Sequence, residues 1–141
     1  MIIADTGFWL AVANRRDRHH ARAIAVLGEI DEPLICTWPV LTETCHLMLT
    51  RLGVNAKTRF LQGMENGLAQ LYQLEPDHLA RLQALMEKYA DLPMDLADAS
   101  LVVLAEDQND GRILSTDQRD FQAYRWKSQQ PFQNMLLDDA L

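Results

Sequence analysis

Four acidic residues, Asp5, Glu43, Asp98 and Asp117, are the candidates for chemistry, Asp5, Asp98 and Asp117 by their own positions and Glu43 by its company. Asp5 closes the apolar run Ile2-Ile3-Ala4. That run is rich in β-branched side chains and reads as a buried strand of an α/β sheet, with the carboxylate at its carboxyl end. In open α/β sheets this edge is where ligands bind. Asp117 repeats the arrangement, because Arg112-Ile113-Leu114 reads as a short strand and Ser115-Thr116-Asp117 follows it. Asp98 falls in the first turn of a helix that is apolar nearly all round from Leu101 to Ala105 and is therefore expected to be buried. A carboxylate there is costly unless it is hydrogen-bonded or metal-bound, although the helix dipole lessens the cost. Glu43 lies in the second turn of a helix opened by Pro39. Three of the four also have a plainer role open to them. Asp5 or Thr6 can N-cap the next helix, and Asp117 can cap the turn through Asp120-Phe121. Glu43 can serve as an acid near a helix N-terminus, worth about 0.3–1 kcal/mol. Asp95, just ahead of the buried helix, is fully explained as its N-cap.

Two strand ends and two helix starts face one edge of a parallel sheet. Four carboxylates gathered there within a few Å would repel and raise one another's pKa. Divalent cations remove that repulsion, and an oxygen-only set with few protein ligands suits Mg²⁺ or Mn²⁺, the ions of phosphoryl chemistry. The chain holds no Gly-rich phosphate loop, GxSxG elbow or Cys/His nucleophile pair, which excludes nucleotide triphosphatase, hydrolase-triad and thiol mechanisms. Metal-assisted hydrolysis of a phosphodiester remains. His19 and His20 are adjacent, hence about 100° apart on a helix, and cannot ligate one metal as an i, i+4 pair does. They belong to the densest basic patch, with Arg15, Arg16, Arg18 and Arg22, which together with Arg119 could contact phosphate. Cys36 and Cys45 form no CxxC pair and read as buried reduced thiols.

The elements that must position these residues follow in order. After the first strand comes a helical turn at Phe8 to Val12, then a helix to about Ile30, a buried strand Leu34 to Trp38, and a helix from Pro39 to Leu52 stopped by Gly53. A short helix over Asn55 to Met64, a strand over Leu68 to Leu74 and a helix opened by Glu75-Pro76-Asp77 lead to the buried helix. Tyr124-Arg125-Trp126 reads as an edge strand, and the last ten residues, with Met135-Leu136-Leu137 and Asp138-Asp139, as a partly docked tail. With 141 residues and 48% hydrophobic content, one domain spanning 1–141 is expected. The net charge of −7, from 20 acidic and 13 basic residues, argues against gripping nucleic acid by bulk electrostatics but not against a nuclease whose acids bind cations. No apolar run reaches the roughly 18 residues that span a bilayer, so a cytoplasmic protein without membrane attachment is expected.

Ile3-Ala4-Asp5-Thr6, Leu41-Thr42-Glu43, Met94-Asp95-Leu96-Ala97-Asp98-Ala99 and Leu114-Ser115-Thr116-Asp117-Gln118-Arg119-Asp120-Phe121 together resemble the four acidic motifs of PIN-domain ribonucleases, especially VapC-type toxins of prokaryotic toxin–antitoxin pairs. The resemblance implies a three-layer α/β/α sandwich with a mainly parallel sheet, a Mg²⁺ or Mn²⁺ site, endonucleolytic cleavage of RNA, a homodimer, and inhibition by a cognate antitoxin. It makes Asp5 and Asp98 the principal metal ligands, with Glu43 and Asp117 completing the set, and Thr6 is then the expected cap of the following helix, leaving the Asp5 side chain free for metal. The fourth motif also offers Asp120, and Asp117 is preferred because it directly follows Thr116. A catalytically silent PIN-like RNA-binding or assembly module is the alternative. A receiver-like phosphoacceptor would need a lysine after a late strand, and Lys57, Lys88 and Lys127 are not so placed.

Overall fold

The computed structural model describes residues 1–138; positions 139–141, including Asp139 of the expected tail, lie outside the described residues. In chain order the first half contains β1 (Ile2–Ala4), α1 (Thr6–Ala13), α2 (His20–Glu29), β2 (Leu34–Thr37), α3 (Trp38–Leu52), α4 (Val54–Glu65) and β3 (Gln70–Tyr72). A 3₁₀ turn at Pro76–His78 precedes α5 (Leu79–Lys88), α6 (Leu96–Gln108), β4 (Arg112–Leu114), α7 (Gln118–Ala123), β5 (Arg125–Trp126), β6 (Gln130–Pro131) and β7 (Gln133–Asn134).

Five strands form a wholly parallel sheet in the order β3-β2-β1-β4-β7. β1 lies in the middle, and its residues Ile3 and Ala4 are completely buried. A strand covered on both faces has no reason to alternate, which is why β1 and β2 read as continuous apolar runs. The connections β1 to β2 and β2 to β3 step one way along the sheet, and β3 to β4 steps back past β1. Because parallel crossovers are right-handed, α1–α4 and α5–α6 cover opposite faces. The expected layers are thus present, with a parallel sheet between helices. The direction reverses between β1 and β4, so the carboxyl ends of these two strands flank the topological switch point.

Caps fix where the helices begin. Thr37 accepts from Val40 N at 3.4 Å at the start of α3, and Asp95 accepts from Asp98 N at 2.8 Å at the start of α6, the role read for it above. Gly53, with φ of 96°, ends α3 and opens α4, a backbone conformation suited to glycine. Leu101, Val102 and Ala105 of α6 are fully buried, with Leu104 nearly so.

The carboxyl-terminal segment departs from expectation. Residues 125–126 pair with Gln130–Pro131 in a separate antiparallel hairpin, and the sheet edge is instead β7, within the stretch read as a tail. Two residues beside Pro131 and Phe132 carry no alternation to betray a strand. Main-chain bonds from Gln133 N to Gly111 O at 3.0 Å and from Met135 N to Ile113 O at 2.7 Å hold β7, and Leu136 is 1% exposed.

If α6 is the packed centre of its layer, Leu101→Ala should lower the unfolding free energy by about 2–5 kcal/mol in urea titrations. A loss below about 1 kcal/mol, the ordinary cost of an arbitrary substitution, would contradict that placement.

Candidate active site

Asp5 is the first residue beyond β1 and still extends the ladder, its N–H donating to Leu114 O at 3.0 Å. Its φ and ψ of −91° and 166° are those of an N-cap, and Oδ1 accepts from Thr6 N at 2.7 Å. Oδ2 accepts from Ser115 Oγ at 3.0 Å. A reading in which Thr6 caps and leaves Asp5 free is therefore corrected. Asp5 holds the last extended position and caps α1 itself, while the buried Thr6 Oγ1 has no partner among the described residues. Asp5 is only 6% exposed. Burial drives its pKa up to about 7 against the lowering effect of its two hydrogen bonds, and the charges of Glu43 and Asp117 push the same way.

Asp98, third residue of α6, is half-buried, and its Oδ2 accepts from Tyr124 OH at 3.0 Å. Burial, then the charges of Asp5 and Asp95, raise it to about 8. The buried Tyr124 hydroxyl is pushed up in turn by burial and by Asp98. Glu43, on α3, is half-buried and makes no side-chain hydrogen bond among the described residues. Asp117 caps α7, accepting from Asp120 N at 3.3 Å, while its own N–H donates to Ser115 Oγ at 2.9 Å. Asp120 is raised by burial and by its contact with Asp117.

All four acids line one cavity of about 270 Å³, whereas Asp120 is not among its lining residues. Asp17, Asp95 and Arg51 line it too. Gly7 closes the wall: a Cβ there would run into Thr116 Oγ1, so α1 can start this close to the 115–117 turn only with glycine. Asp17 and Arg51 went unnoticed in the sequence. Asp17 sits in a basic, aperiodic loop, where its Oδ1 accepts from His19 N at 2.8 Å. Arg51 carried a usable signal, since positions 43, 47 and 51 share a helical stripe and all three line the cavity.

The basic candidates lie elsewhere. Arg15 lines a different cavity with Trp9, His20 and Phe60. Arg22 Nε donates to Leu136 O at 2.9 Å. Arg16, Arg18 and Arg119 are exposed. His20 Nδ1 is 2.7 Å from Ala11 O, an interaction within the fold. Both cysteines are free, Cys36 buried as expected and Cys45 only half-buried; burial pushes the Cys36 thiol up to about 12 and Cys45 upward.

As placed, the acids share a cavity without closing on a point. Among the described residues, no three His, Cys, Asp or Glu side chains are grouped tightly enough to hold one ion. That is looser than the convergence within a few Å expected above, because Asp5, Asp98 and Asp117 are each engaged by a hydrogen bond of the fold. None of the four is in a salt bridge among the described residues. The cavity thus offers an all-oxygen donor set in which acids outnumber the one lining cation, Arg51, and no salt bridge among the described residues neutralises the four, the chemistry that fits Mg²⁺ or Mn²⁺.

Comparisons with known proteins agree with this architecture. Ribonuclease VapC26 of Mycobacterium tuberculosis (strain ATCC 25618 / H37Rv) is 29% identical over 124 residues, covering 88% of this chain and 92% of the relative. The crystal structure of Mycobacterium tuberculosis VapC20, a sarcin–ricin loop cleaving toxin, superposes with a TM-score of 0.78 at 18% identity, over 84% of this chain and 92% of that one. The PIN domain family matches residues 2–127, a span that contains all four acids, and the chain belongs to that family.

Proposed function

We propose that this protein is a Mg²⁺- or Mn²⁺-dependent endoribonuclease, the toxin of a type II toxin–antitoxin pair, with RNA as substrate, a cognate antitoxin as protein partner and a homodimer as working form. The observation that carries the reading is Asp5: a buried carboxylate at the switch point, raised to about 7, in no salt bridge among the described residues and sharing a cavity with Glu43, Asp98 and Asp117. Membership of the PIN family and the likeness to a relative named as a ribonuclease support the choice of RNA. No helix of the described residues is long and apolar enough to cross a membrane, in keeping with the proposed cytoplasmic site of action.

Asp5 and Asp98 would hold the metal, Glu43 would complete the set, and Asp117 would hold a second ion or a water. A divalent ion bound there supplies an activated water and stabilises charge on the phosphate. The residues themselves set the conditions. Asp5 and Asp98, pushed up to about 7 and about 8 mainly by burial, favour their protonated forms more than ordinary carboxylates do and would have to be deprotonated to hold an ion. Glu43, without a competing hydrogen bond, is the acid freest to swing inward. Arg51 at the cavity wall is placed to receive a phosphate, a role first sought among the arginines of the amino-terminal patch.

Purified protein should cleave structured RNA with Mn²⁺ and stop with EDTA, and Asp5→Asn should lose more than about 100-fold in rate, exceeding the loss usual for groups outside the coordination sphere. Cleavage that survives chelation or Asp5→Asn would overturn the assignment, and RNA binding without cleavage would favour a silent binding module.

The raised Asp5 pKa also fixes the sign of a pH effect. Its folded value of about 7 exceeds the ordinary 3.8, so between these values the folded state binds more protons than the unfolded one. Asp5 therefore costs stability progressively as pH rises from about 4 to about 7, and the full cost persists above. In EDTA, urea titrations should show Asp5→Asn gaining on the wild type as pH rises from 5 to 8, with excess Mn²⁺ at pH 8 reversing that order. A stability difference that stays flat with pH would contradict the burial of this charge.

A further inference from the structure

We infer that Asn134 is a positioning residue for the acidic cavity, acting through Ser115; the inference rests on the nuclease reading of that cavity. Ser115 is fully buried, and its hydroxyl touches two of the four acids. Oγ accepts from Asp117 N at 2.9 Å and donates to Asp5 Oδ2 at 3.0 Å. A serine hydroxyl carries one proton. With its acceptor side taken by Asp117, that proton is committed to Asp5. Together with Thr6 N on Oδ1, it fixes the orientation of the Asp5 carboxylate.

Asn134 holds Ser115 in turn. It is 5% exposed, on β7. Its Oδ1 accepts from Ser115 N at 3.3 Å and its Nδ2 donates to Ser115 O at 2.9 Å, so one carboxamide pairs with both polar groups of one residue. The backbone ladder between β4 and β7 ends with Met135 N donating to Ile113 O. Past that point the chain turns away, and the side-chain amide takes the place of the next strand residue. Oδ1 also accepts from Leu136 N at 3.1 Å, and Asn134 N donates to Asp138 Oδ2 at 2.9 Å, which pin the turn itself. Truncating the carboxamide would leave the buried Ser115 N–H and C=O unpaired. The Oγ that orients Asp5 and Asp117 would then lose its fixed origin.

A merely structural asparagine would affect melting and nothing else, so the test separates melting from metal binding. Asn134→Ala, the isosteric Asn134→Asp, Ser115→Ala, the double variant Ser115→Ala/Asn134→Ala, Asp5→Asn and a remote core control, Val26→Ala on α2, are compared where each is fully folded. The readouts are the Mn²⁺ dissociation constant without RNA, from electron paramagnetic resonance, then kcat and KM for RNA cleavage, and Tm in EDTA. Both Asn134 variants should weaken Mn²⁺ binding and lower kcat by about 10–100-fold with KM unchanged. The double variant should be no worse than Ser115→Ala alone, as two links of one relay require. Val26→Ala should lower Tm and leave Mn²⁺ affinity intact. The relay is overturned if the Asn134 variants lose Tm while keeping wild-type Mn²⁺ affinity and kcat, or if the double variant shows the product of the two single losses. Should Asp5→Asn alone bind Mn²⁺ as tightly as the wild type, the nuclease reading of the cavity falls and the relay with it. Weakened binding in Asp5→Asn beside normal binding in the Asn134 variants removes the relay and leaves that reading standing.

Discussion

The Asp5 carboxylate has been taken almost wholly out of water, and among the described residues only Thr6 N and Ser115 Oγ stand in for its hydration. Hydrogen bonds of this kind offset part of the cost of burying a charge, and its pKa still lies at about 7 because burial outweighs them and the charges of Glu43 and Asp117 add to it. That residual cost orders the surroundings. β1 is central because a strand covered on both faces delivers its terminal residue deepest into the fold. Gly7 lets the 115–117 turn approach closely enough for Ser115 to reach Asp5. The charges of Glu43 and Asp117 push the same way as burial, and no salt bridge among the described residues neutralises Asp5, so the imbalance is left in place.

Helix termini make the imbalance tolerable. Asp5 caps α1, Asp117 caps α7 and Asp98 lies in the first turn of α6. Three of the four acids thus sit where the exposed N–H groups and the helix dipole favour negative charge, worth about 0.3–1 kcal/mol each at exposed sites and more when partly buried. Capping and ligation are not rivals here. A cap occupies one carboxylate oxygen and leaves lone pairs on the other, and the cap itself fixes the direction in which that second oxygen points. The cavity shares the chain's excess of negative charge, with Asp17 and Asp95 beside the four acids and Arg51 as the cation in its lining.

How much could be read beforehand depended on whether a residue belonged to a periodic element. Asp5 and Asp117 were legible because each closes a short apolar strand, and Asp98 because it interrupts the start of a helix that is otherwise apolar. Glu43 was not legible alone, since an acid in the second turn of an amphipathic helix is ordinary; only its company marked it. Asp5 was misjudged in detail, its capping role passed to Thr6, because sequence cannot decide which of two adjacent capable residues takes the last extended backbone position. The relay from Asn134 was out of reach, as it joins residues 19 apart through a two-residue strand with no pattern of its own. Asp17 joins the cavity from a loop, where no periodicity assigns a direction.

The most direct test of the central claim is anomalous scattering from crystals of the wild-type protein soaked in Mn²⁺ at a concentration that supports RNA cleavage. The account predicts a peak in the cavity bordered by Asp5, Glu43, Asp98 and Asp117, with oxygen atoms of Asp5 and Asp98 in the coordination sphere at about 2.0–2.2 Å, near the distances typical of a small hard divalent cation. Mn²⁺ found only elsewhere on the chain, with this cavity empty, would contradict it.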